Sequence, residues 1–197
     1  MKKMNKFSTG VFAVAMAFAC VACGNNKPAD ATENEAPEVN VAAVMEIDDV
    51  LAQADSLVNQ EITFQGVCTH ACKHGATKIF MMGSDDTKTI RVEAGELGAF
   101  DTKCVSSLVE VTGKLVENRI DESAIVKMEE AYKANTAKQH GNGEAGCDSQ
   151  KKALGVKGNT FEEKIADMRA KIASNKEKYG KEYISDYYVV ASKYEIK

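Results

Sequence analysis

The spacing of apolar residues changes twice along this chain, and that change does most to limit its fold. Over 46–58 the apolar positions are Ile47, Val50, Leu51, Ala54, Leu57 and Val58, in steps of three and one that line one face of a helix. From Glu61 the step becomes two. Ile62 and Phe64 alternate with Glu61, Thr63 and Gln65, as in a half-buried strand. Gly66 interrupts this strand before Val67 and Cys68 continue it, and a glycine inside a strand marks a bulge or bend. Period two predicts further strands at 78–83, 88–93 and 107–117. In the third, Ile90 and Val92 face in and Arg91 faces out; in the fourth, Val109, Val111 and Leu115 share a face, with Gly113 at a bend. Ser84-Asp85-Asp86-Thr87 supplies turn chemistry between the second and third.

The period then returns to that of a helix. Ile125, Met128 and Tyr132 predict a helix over 122–138, and residues 139–158 read as a glycine-rich loop. Thr160 and Glu163 form a capping box ahead of Phe161, Ile165, Met168 and Ile172, and Gly180 suits the end of that helix. A final strand is predicted over 183–196, with Tyr188, Val190, Tyr194 and Ile196 in alternation. Four strands, a helical excursion and a fifth strand predict a mainly β domain with a helical insertion at about 121–180. Long strands bent at internal glycines are what a small closed barrel needs. The arrangement resembles an OB-fold, a five-stranded barrel, here with helices before the last strand. The leading helix followed by EITFQGVCTH resembles the start of the first strand in bacterial exported OB domains. An α+β open sheet with packed helices is the alternative architecture.

Residues 1–22 read as a signal peptide, with a basic start at Lys2, Lys3 and Lys6 and a short apolar run over 11–21. That run is too short to span a bilayer as a stable helix. The segment Cys20-Val21-Ala22-Cys23-Gly24 resembles a bacterial lipobox, with small Ala22 before the cysteine that takes the lipid, although Cys20 stands where an aliphatic residue is usual. The resemblance implies acyl chains on Cys23 and a membrane anchor. Residues 23–45 then hold both prolines of the chain, Pro28 and Pro37, and few large apolar groups, the composition of a flexible tether. The folded domain is expected over 46–197. Removing the three leader lysines takes the net charge from −4 to −7. That balance opposes nucleic-acid phosphate as the main partner.

One constellation carries candidate chemistry. Cys68, His70, Cys72 and His74 interleave within seven residues, and His140 and Cys147 share one glycine-rich segment. In a straight strand, side chains two apart share a face about 7 Å apart. Cys68, His70 and Cys72, with one further donor, are therefore expected to hold a metal. Zn²⁺ takes sulfur and nitrogen in tetrahedral geometry, and Cu(I) is the alternative. Glu144 offers an oxygen ligand or a supporting hydrogen bond. The segment carrying His140 and Cys147 is expected to pack over this cluster, its glycines allowing close approach. Cys104 reads as a buried or disulfide-bonded cysteine.

Disulfides or thiol redox chemistry are the competing reading, since four cysteines allow three complete pairings. No Walker loop, nucleophile elbow, dinucleotide fingerprint or paired-carboxylate motif is present in the sequence. The expected function is accordingly a membrane-tethered, non-enzymatic binding module of a bacterial envelope. Its alternatives are an exported thiol-redox or disulfide-containing protein and an OB-type binder of oligosaccharide or nucleic acid.

Overall fold

The computed structural model describes residues 43–73, 75–134 and 145–197. These lie in one compact unit, 40–197. A two-residue strand, Met45–Glu46 (β1), leads into short helices Ile47–Ala52 (α1) and Ala54–Leu57 (α2). Strands Glu61–Ala71 (β2), Lys78–Met82 (β3), Thr89–Glu93 (β4) and Leu108–Ile120 (β5) follow. Single 3₁₀ turns at Gly95–Leu97 and Thr102–Cys104 fill the connection before β5. Helices Glu122–Lys133 (α3), Asp148–Leu154 (α4) and Phe161–Tyr179 (α5) precede the last strand, Ile184–Ile196 (β6).

The sheet closes on itself. β2 pairs antiparallel with β3, and β3 with β4. β4 pairs parallel with β6, β6 antiparallel with β5, and β5 antiparallel with β2. β2 serves two neighbours in succession, with Glu61–Val67 on β5 and Val67–Ala71 on β3. The result is a closed five-strand, OB-like barrel with helices before the last strand, extended by β1 alongside β2 at Phe64 and Gln65. The open-sheet alternative is set aside by the β2–β5 ladder.

Inward residues of all five strands make the main core, and Ile47 and Val50 of α1 join it fully buried. Burying each of these two side chains contributes about 1.5–3 kcal/mol. Gly66 lets α1 approach, because a Cβ there would collide with the Ile47 side chain. Asp48 holds the same helix to the end of β3, accepting from the Ser84 backbone N–H at 2.8 Å and from Ser84 Oγ at 2.6 Å. Those two hydrogen bonds hold the Asp48 carboxyl below the usual carboxylate range.

Two bulges reset the alternation. Cys68 lies opposite Met81 and His70 opposite Phe80, so Thr69 is an extra residue in β2. Thr112 lies opposite Lys193 and Gly113 opposite Ala191, so Ser192 is an extra residue in β6. Each bulge exchanges the inner and outer faces beyond it. In β6 the inner residues are therefore Val189 and Ala191 before the bulge, with Tyr194 and Ile196 packing on the core after it. The expected single alternation of Tyr188, Val190, Tyr194 and Ile196 is corrected accordingly.

The helical insertion builds a second cluster from Ile120, Ile125, Phe161, Ile165, Met168 and Ile184. Tyr132 stacks on Phe161 at 3.9 Å, and Arg169 of α5 bonds both Glu122 and Glu129 of α3. The expected capping box at Thr160 and Glu163 and the left-handed cap at Gly180 are both present. α3 is described to Lys133, and the remainder of the expected helix to 138 lies outside the described residues. The expected loop over 139–158 contains α4. Its cap at Gly155 is left-handed (φ 61°), Asp148 sits in its first turn, and Lys151 and Lys152 lie in its last. The expected first helix over 46–58 is broken at Gln53 into α1 and α2.

Candidate functional site: thiols on either side of the barrel wall

The Thr69 bulge decides where the expected ligands go. Cys68 precedes it and points inward, fully buried in the barrel core. Its backbone N–H donates to Ser107 O at 3.0 Å, and its carbonyl accepts from the Ser106 N–H at 2.7 Å. The Ser107 N–H in turn donates to Cys104 O at 3.0 Å, which folds the buried Cys104 back over the same strand. Burial pushes the Cys68 thiol up to about 11, and the Cys104 thiol adds in the same direction. Burial also raises the Cys104 thiol, with Asp101 adding to it.

His70 and Cys72 follow the bulge and lie on the outer face. The His70 ring sits 5.8 Å from the ring of its cross-strand partner Phe80, which also faces away from the barrel core. Cys72 is half-buried just past β2, its N–H donating to Lys78 O at 2.9 Å. The reading of Cys68, His70 and Cys72 as side chains of one face is corrected here, because the extra residue breaks the alternation on which it rests.

Cys147 arrives on the outer face from the insertion. It precedes α4, which packs against β3, β4 and β6. Burial raises the Cys72 thiol and the Cys147 thiol adds to the rise, while Lys78 and Arg91 pull it down. The half-buried Cys147 also lines a small cavity of about 120 Å³ with Gln150, Lys151, Leu154 and Lys164. Of the segment expected to pack over the cluster, the structure describes Ala145, Gly146 and Cys147 ahead of α4. His74, His140 and Glu144 lie outside the described residues. Among the described residues, no group of three or more His, Cys, Asp and Glu side chains is placed to hold a metal ion.

The outer face under the insertion also holds an ion pair absent from the sequence reading. Arg91 faces out, as expected, yet it is buried because the insertion covers it. Its Nη2 donates to Asp186 Oδ2 at 3.0 Å, and its guanidinium lies 4.5 Å over the Tyr188 ring. Burial raises the Asp186 carboxyl against the opposing pull of Arg91, whose Nε also lies 3.3 Å from Glu93 Oε1. A lone arginine in a strand gives no local signal of this, since the burial comes from helices far along the chain.

A separate cleft of about 370 Å³ opens between the 95–97 turn and β6. Glu61, Glu96, Lys114 and Ser192 stand around it, with Leu97 and Val190 supplying apolar surface. No known protein family matches the chain, and no characterised protein does.

Proposed function

We propose that this protein is a lipid-anchored binding module of a bacterial cell envelope that performs no catalysis of its own. The leader, the lipobox-like Cys23 and the proline-bearing segment after it support the address. The observation that carries the binding reading is the cleft beside β6, which two carboxylates and one ammonium line together with apolar side chains. That mixture suits a small zwitterionic or neutral polar solute, or the end of a short oligosaccharide. Carboxylates at the rim and the acidic balance of the chain oppose a nucleic-acid backbone.

Cys23→Ser should move the protein from the membrane fraction to the soluble one, and the wild type should carry acyl chains by intact mass. A wild type without acyl chains removes the anchor. The cleft is tested by thermal-shift measurements with zwitterionic solutes and short oligosaccharides on the wild type and on Ser192→Trp, which fills it. Equal responses from the two proteins remove the cleft as the binding site.

A second reading is a soft metal, Zn²⁺ or Cu(I), held by Cys72 and Cys147 with donors from His74 and His140, which lie outside the described residues. Its support is that the insertion brings Cys147, with α4, to the outer face on which Cys72 lies.

A further inference from the structure

We infer that the four cysteines of the folded domain form two disulfides, Cys68 with Cys104 inside the barrel and Cys72 with Cys147 outside it. The inference rests on the envelope reading for its oxidising compartment, and on the fold for its pairing.

All four residues are free thiols in this structure. Of the three complete pairings, two require a bond between a cysteine inside the barrel and one outside it. Cys68 and Cys104 belong to the buried core. Cys72 lies on the outer face beyond the bulge, and Cys147 leads the helix that lies across β3, β4 and β6. A disulfide needs its Cα atoms within about 7 Å and its Cβ atoms turned towards each other, which a sheet between them forbids. One pairing remains.

Each remaining pair has a local frame. Cys68 is fixed by its two backbone hydrogen bonds to Ser106 and Ser107, and the turn from Cys104 to Ser107 brings Cys104 back over it. Cys72 is fixed by the Lys78 carbonyl and by the Ala76 N–H, which donates to its oxygen at 3.0 Å. Cys147 makes no side-chain cap bond to α4. The Cys104 thiol adds to the rise of the Cys68 thiol, and the Cys147 thiol to that of the Cys72 thiol.

Oxidation balances by thiol–disulfide exchange with an exported disulfide oxidant. One cysteine thiolate attacks a sulfur of the oxidant and forms a mixed disulfide. Its partner then displaces the oxidant, which leaves as a dithiol carrying the two electrons and two protons of the pair. The inner bond closes over the 35 residues 69–103 and fastens the turn before β5 to β2. The outer bond closes over the 74 residues 73–146 and staples the insertion to the barrel. Being half-buried, the outer bond is the first to yield to reductant.

The test uses the full chain. Protein from cells is acid-quenched, alkylated and digested with trypsin without reduction. The fragment ending at Lys73 carries both Cys68 and Cys72, whereas Cys104 and Cys147 lie on the separate fragments 104–114 and 139–151. The wild type should give all three fragments joined. Cys104→Ala should leave 139–151 attached and alkyl label on Cys68. Cys147→Ala should leave 104–114 attached and label on Cys72. Graded reductant should open the outer bond at least tenfold faster than the inner.

A parallel arm reduces the purified full chain and reoxidises it with glutathione disulfide, which tests the pairing whatever the compartment. Label on the wrong cysteine in either variant, or no bond after reoxidation, overturns the pairing. Correct bonds after reoxidation together with four free thiols in cells overturn the inference through its compartment, and the envelope reading with it. Stoichiometric zinc on protein from cells, released by alkylating Cys72 and Cys147, overturns the outer bond in favour of the metal.

Discussion

Cys68 and Cys72 stand four residues apart and on opposite sides of one barrel wall. The extra residue Thr69 between them separates a core thiol from a surface thiol.

This separation predicts how the reduced chain reacts. Cys72 and Cys147 should be alkylated through ordinary local motion, whereas Cys68 and Cys104 need the barrel to open. The inner pair should be slower on the order of 100-fold or more in native buffer, with the difference vanishing in denaturant. Timed alkylation read by peptide mass checks this, and equal rates for all four would place Cys68 outside the core.

Period two and the glycines within the strands made the barrel legible, because a closed sheet needs one apolar face on every strand. The positions of the bulges were not legible. Thr69 and Ser192 are small polar residues that fit any strand, and only the register of their neighbours shows that each is the odd one. The candidate site inherited that gap: His70 and Cys72 were placed beside Cys68 by an alternation that stops one residue earlier. The segment carrying His140 and Cys147 was expected over the cluster because of its glycines. The helix that delivers Cys147 was hidden among those same glycines.

The Cys68 thiol gives the reduced protein an alkaline limit. Its folded pKa is raised to about 11 by burial and by Cys104. The folded state therefore holds this proton at pH values where the unfolded chain has released it. Stability from this group is whole below the unfolded value, near 8.5, and falls as pH rises towards 11, by up to about 1.4 kcal/mol per pH unit. Urea midpoints at pH 7.5, 9 and 10 should show this fall in the reduced wild type. It should be smaller in reduced Cys68→Ala and in the oxidised chain.

Asp186→Ala should strip Arg91 of its buried partner and cost about 3–5 kcal/mol. The Arg91→Met/Asp186→Leu double variant should lose less than the single one, because no charge is left unpaired. Urea unfolding of the single and double variants measures this. A single variant within about 0.5 kcal/mol of wild type would mean that solvent reaches the pair.

Two glycines are expected to resist alanine for different reasons. A Cβ at Gly113 would press on the Val190 carbonyl and stand 2.8 Å from Ala191 Cα, both backbone atoms of the paired strand. At Gly180 there is open space, and only the positive φ of 68° opposes a side chain. Gly180→Ala should cost about 1–2 kcal/mol from conformation alone. Gly113→Ala should cost more, through displacement of β6. Chemical denaturation that ranks them the other way would deny the close strand approach.

The placement of β6 sets a timetable. This last strand lies between β4 and β5, and its pairing with both completes the ring. A chain whose residues 184–196 have not yet emerged has β4 and β5 with open edges, however far its helices have formed. Closure joins segments nearly a hundred residues apart, such as Arg91 and Tyr188, so it is slow compared with helix formation. Under the envelope address proposed above, where a chain passes a membrane before it folds, late closure is useful. The barrel cannot lock before its C-terminal strand is free to pair, and that delay is written into strand order.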